Sequence, residues 1–191
     1  MAHRLHAQPL PLTTTVASGT TLMRQGDPCR RAWIVISGAL LERTVSAEGR
    51  ALIPRLPGAG DLVGGADGCP SPVSVVTLRR TTLRPATDRD IEEGLAARER
   101  ELLAFATEVA WLDAATAIER RLRHLAQRFG RAAPGGIAIG LTLTQEDLGA
   151  CAGTTRESAN RAVGELLRSG AIRRLSRGRY LVRTPLRSVD R

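Results

Sequence analysis

Four side chains near the C-terminus have the types and spacing to read a base pair. Arg156, Glu157, Asn160 and Arg161 stand at helical intervals in LTQEDLGACAGTTRESANR, residues 143–161. Arginine donates two hydrogen bonds to guanine O6 and N7, and glutamate accepts from the cytosine N4 amine. A lone RExxxR would be an ordinary solvated helix face. Here the elements that must position it are also written in the sequence. Thr144-Gln-Glu-Asp147 is an N-cap signature with acids at the positive end of a helix. Leu148 and Ala152 give that helix a buried side, Gly153 allows a turn, and Thr154 and Thr155 are available to cap a second helix. Ala159, Val163, Leu166 and Leu167 supply the second helix with an apolar face opposite the polar four.

Around this unit stand groups suited to phosphate. Thr144, Gln145, Thr154, Thr155 and Ser158 lie at helix starts, where hydroxyls, amides and backbone N–H groups hold phosphate oxygens. After Gly170, AIRRLSRGRYLVRT reads as a hairpin turning at Ser176-Arg177-Gly178, with Arg177 and Arg179 near its tip. A helix–turn–helix followed by such a hairpin is a winged helix.

Charge agrees with this placement. All 28 basic residues are arginine. Residues 1–113 hold thirteen arginines and thirteen carboxylates, whereas residues 114–191 hold fifteen arginines and six carboxylates. The net charge of +9 therefore belongs to the last part of the chain. A basic module joined to a neutral one implies a polyanionic partner at one end only.

The neutral part reads as β structure over residues 14–84. Short apolar or alternating runs (TLMRQ, AWIVISGALLERTV, ALIPRL, VSVVTLRRTTL) are punctuated by glycine, the pattern of a sandwich or barrel-like roll. GAGDLVGGADGCPSP, residues 58–72, reads as loop. From residue 88 the period changes. Leu95, Leu102, Phe105, Val109 and Leu112 form an a/d-like seam with Arg98 as its polar exception, and Leu103, Ala106 and Ala110 run beside it. Two stripes suit a helix that packs on the β module with one side and on a partner helix with the other; burial of the whole helix in one core fits the same pattern. A further helix spans Ala115 to Phe129, and Ala133-Pro134-Gly135-Gly136 reads as linker or turn. The expected division is residues 1–87 for the β module, 88–113 for the long helix and 114–191 for the winged helix.

Other chemistries find little support. No run of 18 apolar residues exists, so no membrane span is expected. The N-terminus lacks an apolar stretch of signal-peptide type, which points to a cytoplasmic protein. Cys29, Cys69 and Cys151 are odd in number and wrongly spaced for zinc or an iron–sulfur cluster, and are expected to be structural or incidental. Neither Cys29 nor Cys69 has an activating neighbour in sequence that would mark a redox switch. His3, His6 and His124 are poorly placed as haem ligands. GAGDLVGG is rich in glycine, but no capped helix follows it to hold a phosphate. No nucleophile-elbow, zinc-protease or Walker pattern appears. Neither a catalytic residue, a metal nor a cofactor is therefore expected, and the chain is not read as an enzyme.

These motifs resemble the CRP/FNR family of bacterial transcription regulators. The resemblance rests chiefly on LTLTQEDLGACAGTTRESANRAVGELLRSGAIRR and on GTTLMRQGDPCRRAWIVISGALLERTV. It implies an α+β fold: an N-terminal cyclic-nucleotide-binding-like β-roll, a long dimerisation helix and a C-terminal winged helix-turn-helix. It also implies a homodimer on an inverted repeat of double-stranded DNA, with RNA polymerase as a further partner. Arg156, Glu157 and Arg161 match the family's R-E-x-x-x-R reading triad, which makes a TGTGA-like half-site the expected target, and Asn160 departs from the pattern.

The chain also departs from the family's cyclic-AMP binders. Their phosphate-binding segment carries Gly-Glu and then Arg-Ser or Arg-Thr. The matching positions here are Gly64-Gly65 and Ser71-Pro72, without the glutamate or the arginine. Where those binders meet adenine with hydroxyls, this chain has Leu102 and Leu103. The expectation is a degenerate nucleotide pocket (Gly64, Gly65, Ser71, Pro72, Leu103) and DNA binding independent of cyclic AMP. The family's usual leading helix is missing before the roll, which fits reduced ligand control. The alternative is a ligand- or redox-sensing regulator whose roll binds another effector or a protein partner.

Overall fold

The computed structural model describes residues 13–65 and 68–183. Eight short strands come first: β1 (Thr14–Val16), β2 (Thr21–Met23), β3 (Ala32–Ser37), β4 (Leu40–Val45), β5 (Ala51–Arg55), β6 (Leu62–Gly64), β7 (Ser74–Thr77) and β8 (Thr81–Pro85). They form two antiparallel sheets, ordered β1-β8-β3-β6 and β2-β7-β4-β5. Each long apolar run in the sequence is thus two strands in different sheets. Gly38 makes the first such corner. Its φ is +119°, and a Cβ there would lie 2.7 Å from the Thr81 backbone. Glycine is the residue that adopts this conformation without strain. β6 falls inside the segment read as loop; Leu62 and Val63 are buried, and its three residues pair with Ala32, Trp33 and Ile34 of β3.

Helix α1 (Asp88–Trp111) follows the roll. Thr87 caps it, and a capping box with Asp90 satisfies two first-turn donors. Arg84 grips the same carboxylate at 2.6 and 2.8 Å. Helix α2 (Ala114–Phe129) is capped by Asp113, which accepts from Ala115 and Thr116. Its apolar face, including Ile118, Leu122, Leu125 and Phe129, is buried. Truncating such a leucine to alanine costs about 2–5 kcal/mol through lost transfer energy and the cavity left behind.

The remaining elements make the winged helix: β9 (Gly130–Ala133), β10 (Gly136–Ile139), α3 (Gln145–Cys151), α4 (Arg156–Arg168), β11 (Ile172–Ser176) and β12 (Arg179–Val182). Their sheet runs β11-β12-β10-β9. The stretch read as a linker is the turn of the β9–β10 hairpin. One apolar core runs from Ala39, Leu41, Ile53 and Leu56 of the roll through α2 into α3, α4 and the wing. The roll and the reading head are packed into one another rather than strung on a linker.

The long helix turns differently from the heptad reading. Phe105 is 8% exposed and packs under Arg121 of α2, whose guanidinium lies 5.3 Å from the ring centre. Leu112 is half-buried against the winged-helix core. Neither faces outward, which corrects the expectation that both belong to a partner seam. At 3.6 residues per turn Phe105 and Leu112 lie roughly 80° and 100° around from Leu95, on the side that α2 and the winged-helix core cover. The exposed apolar face comprises Leu95, Leu102, Leu103, Ala106, Val109 and Ala110. Neither stripe packs on the roll as expected. The roll side of α1 carries Ile91, packed against Ala32, Ile34 and Leu62, then Gly94, which leaves no room for a Cβ beside Leu62, and the polar pair Arg98 and Glu101.

Candidate nucleic-acid interface

Local chemistry builds the head. Thr144 caps α3: its hydroxyl accepts from the Asp147 N–H at 3.0 Å, and Asp147 accepts from the Thr144 N–H at 3.0 Å. The other oxygen of Asp147 takes a 2.7 Å bond from Arg43 of β4, tying α3 to the roll. Gly149 keeps the helices close, since a Cβ there would stand 2.9 Å from the Thr154 carbonyl oxygen. Gly153 makes the turn with φ +63°, and Val109 of α1 lies directly over it, so that a Cβ would meet its methyls at 2.7 Å. Thr155 caps α4 by accepting from the Ser158 N–H at 3.1 Å.

On α4, Ala159, Ala162, Val163 and Leu166 are buried, and Arg156, Glu157, Asn160 and Arg161 are exposed together on the opposite side. None of these four is in an ion pair or side-chain hydrogen bond among the described residues. A groove between α3, α4 and the wing is lined by Thr142, Gln145, Arg156, Asn160, Arg174 and Arg177. The wing turns at Arg177-Gly178, with Gly178 at φ +73°. Arg177 and Arg179 are exposed there. Sequence reading missed Arg174, which the β11–β12 register places opposite Tyr180 and at the groove. Not every expected phosphate group is free. The hydroxyls of Thr144, Thr155 and Ser158 serve caps, and the Gln145 amide is held by the Tyr180 hydroxyl at 2.9 Å. Thr154 is half-buried, its N–H donated to Gly149.

Residues 13–97 match the family model of the cyclic nucleotide-binding domain, and residues 118–186 match that of the Crp-like helix-turn-helix domain. The two modules occur in this order around the capped, basic helix pair. The chain belongs to the CRP/FNR family of transcriptional regulators. It binds DNA through its helix-turn-helix and is not an enzyme. It is similar to a CRP-like cAMP-activated global transcriptional regulator of Mycobacterium tuberculosis, at 27% identity over 172 residues, covering 81% of this chain and 77% of that protein. Electron transport regulator A of Shewanella oneidensis is 24% identical over 188 residues, covering 87% and 72%. Among solved structures, a CRP/FNR regulator of Thermus thermophilus has a TM-score of 0.79 at 23% identity, covering 90% of this chain and 93% of that one. The c-di-GMP responsive global regulator CLP of Xanthomonas campestris has a TM-score of 0.76 at 21% identity, covering 90% and 93%. These two show a shared fold.

In this CRP/FNR regulator, the described residues of the segment compared above with a phosphate-binding cassette are engaged by the protein itself. Gly64 has φ +92° and packs on the Arg31 backbone. Its carbonyl accepts from Arg98 at 2.8 Å. The Ser71 hydroxyl donates to the Val73 carbonyl at 2.6 Å, and Pro72 is exposed. Leu103, expected at the pocket, is 68% exposed on the outer face of α1 and is not brought to the other four.

Between the roll and α1 lies a cluster that the sequence did not reveal. Glu42, 1% exposed, accepts from Arg55 at 3.1 Å and from Arg98 at 3.2 Å. Arg55 also donates to Glu101 at 2.6 Å. Arg128 of α2 joins Glu101 at 3.2 Å and pairs with Asp61. Burial pulls the Arg55 guanidinium down, but Glu42 and Glu101 more than offset it, and the net shift is upward. Burial pushes Glu101 up, and Arg55 and Arg128 reverse this and hold it below its ordinary value. These are charges whose desolvation is met by partners. Among the described residues, no helix is long and apolar enough to cross a membrane.

Proposed function

We propose that this regulator acts as a homodimer that reads an inverted repeat without needing cyclic AMP. Arg156, Glu157, Asn160 and Arg161 contact base edges, with a TGTGA-like half-site for the R-E-x-x-x-R triad. Arg174, Arg177 and Arg179 follow the backbone, flanked by Thr144, Gln145, Thr154, Thr155 and Ser158 at the starts of α3 and α4. Leu95, Leu102, Leu103, Ala106 and Val109 form the dimer face, and RNA polymerase is the protein partner on the promoter. The division into a roll (1–87), a dimerisation helix (88–113) and a winged helix (114–191) belongs to this reading.

The observation that carries nucleotide independence is the Arg98 bond to the Gly64 carbonyl, inside the cluster around buried Glu42. Arg98 is thereby committed to protein groups. A cyclic nucleotide bound against this segment with Arg98 as its cation would strip Glu42 of a partner, and an underpaired buried carboxylate is costly. The Mycobacterium tuberculosis relative is named as cAMP-activated, so the distinction is open to direct measurement.

The test is a fluorescence-anisotropy titration of the purified full chain with an operator selected from random duplexes. Nanomolar binding, equal within about twofold with and without cyclic AMP, is expected, with a preference over random DNA of about a thousandfold or more. A tenfold tightening by the nucleotide overturns the independence. Leu102→Glu is expected to give monomers by sedimentation and to abolish tight operator binding. Retained dimers overturn the dimer face.

A further inference from the structure

Two loops of the roll form a small ladder outside the named strands. The Gly26 N–H donates to Ser71 O at 2.8 Å, Ser71 N–H to Asp27 O at 2.8 Å, Cys29 N–H to Cys69 O at 2.8 Å and Gly68 N–H to Cys29 O at 2.7 Å. Pro28 and Pro70 face each other as an antiparallel bridge between these bonds. One step further along the register, Cys29 opposes Cys69 across a bulge: Gly68, at φ +78°, is the extra residue, and its N–H takes the Cys29 carbonyl. Opposed residues in an antiparallel pair have Cα atoms about 4.5–5.5 Å apart, inside the range of about 4.4–6.8 Å that a disulfide spans. Side chains at opposed positions leave the ladder on the same side. Both residues are free thiols.

Their settings differ in a useful way. Cys69 is exposed, whereas Cys29 is buried, bordering a surface groove with Met23, Pro28 and Trp33. Pro28 and Pro70 fix their own φ angles, which holds the two loops in register. The third cysteine is insulated. Cys151 is buried in α3, and burial pushes its thiol up to about 12. Oxidation chemistry that begins at an exposed sulfur therefore has one accessible start and one neighbour to finish on.

We propose that Cys29 and Cys69 form a redox modification site that a hydroperoxide closes to an intramolecular disulfide and a dithiol reopens. The Cys69 sulfur attacks the peroxide, the O–O bond breaks, and a sulfenic acid forms. With hydrogen peroxide, the departing oxygen takes the Cys69 thiol proton and leaves as water. The Cys29 sulfur then attacks the sulfenic sulfur. The S–S bond forms, the S–O bond breaks, and the leaving hydroxide takes the Cys29 proton to become a second water. The two thiols lose two electrons, and the peroxide gains them. A dithiol returns them by exchange through a mixed disulfide. The bond fastens the loop bearing Ser71 and Pro72 to the loop bearing Asp27 and Pro28.

The experiment treats the reduced full chain with stoichiometric hydrogen peroxide, then alkylates the unfolded protein and maps its peptides by mass spectrometry. Free thiols are expected to fall from three to one, with Cys151 the survivor. The intact mass should drop by two hydrogens, a Cys29–Cys69 peptide should appear, and dithiothreitol should restore all three thiols. In Cys29→Ser the Cys69 sulfenic acid has no resolving partner, and a second equivalent of peroxide, reduced to a further water, is expected to carry it to sulfinic acid, which dithiothreitol does not reverse. Irreversible oxidation of Cys69 beside an unmodified Cys29 in the natural sequence overturns the proposal. So does a disulfide between chains, or one through Cys151.

Discussion

Arg55 on β5 and Arg156 on α4 are the same side chain in opposite settings. Arg55 is 3% exposed and held by Glu42 and Glu101. Arg156 is exposed and, like Arg161, Arg174, Arg177 and Arg179, is in no ion pair among the described residues. The contrast extends to the two halves of the molecule. In the roll and its junction with α2, Arg55, Arg98, Arg121 and Arg128 are each matched to a carboxylate. In the reading head the carboxylates run out, and the guanidinium groups point outward. A paired, dry arginine specifies which elements meet; an unpaired, wet one leaves its donors for a polyanion. Composition alone does not separate the two uses, because the residue type is the same.

The largest effect should come from breaking the buried side of this comparison. Glu42→Ala removes the carboxylate from both Arg55 and Arg98 and leaves two buried cations underpaired, at a cost of about 3–5 kcal/mol. Urea unfolding would read this directly, and a loss below about 1 kcal/mol would show that water already reaches the cluster.

The exposed side should behave in the reverse manner. Arg156→Ala or Arg161→Ala should leave stability within about 0.5 kcal/mol. Each should weaken operator binding by about 1–3 kcal/mol and relax selection at one base position. Arg174→Ala should weaken all duplexes alike and lower the salt slope by about one unit, the mark of a phosphate contact. Selection from random duplexes with each variant separates these roles. A base preference that changes with Arg174 but not with Arg161 would reverse the assignment.

Legibility followed the range of the interaction. The α3–α4 unit was readable because its signals are local: Thr144 and Asp147, Gly153, Thr155, and the apolar face of α4 all lie within a few residues of one another. The wing turn was marked by Gly178. The expected roll, long helix and winged helix are the observed architecture. What was not readable depends on partners distant in sequence. Glu42 and Arg55 look like solvated charges until the β4–β5 register sets them opposite one another. Arg98 looked like a flaw in an apolar seam until α1 docked and turned it to Gly64 and Glu42. Arg43 reaches Asp147 across 104 residues. The short strand β9, GRAA, has little intrinsic β preference and owes its pairing to β10. Heptad spacing alone puts Phe105 on an outward seam; its burial depends on Arg121 of α2, which docks over the ring.

The smallest predicted effect concerns pH and sits where the two halves join. His124 on α2 lies among Arg121, Arg128, Glu101 and Glu108. Partial burial of its ring, then Arg121 and Arg128, hold it below its ordinary value of 6.5, against the opposite pull of Glu101 and Glu108. The unfolded chain therefore takes up this proton at a higher pH than the folded one. Stability from this source is present above about 6.5 and is lost as pH falls from there through the lowered folded value. Glu101 is also lowered, so its contribution is present above the ordinary carboxylate value of 4.5 and is lost as pH falls through the folded value below it. The two windows are distinct. Melting temperature should decline gently between pH 7 and 5 and more steeply below 4.5. His124→Gln should flatten the first decline and leave the second. If the variant retains the full slope between pH 7 and 5, another group carries it, and the junction is not the pH-sensitive part of the molecule.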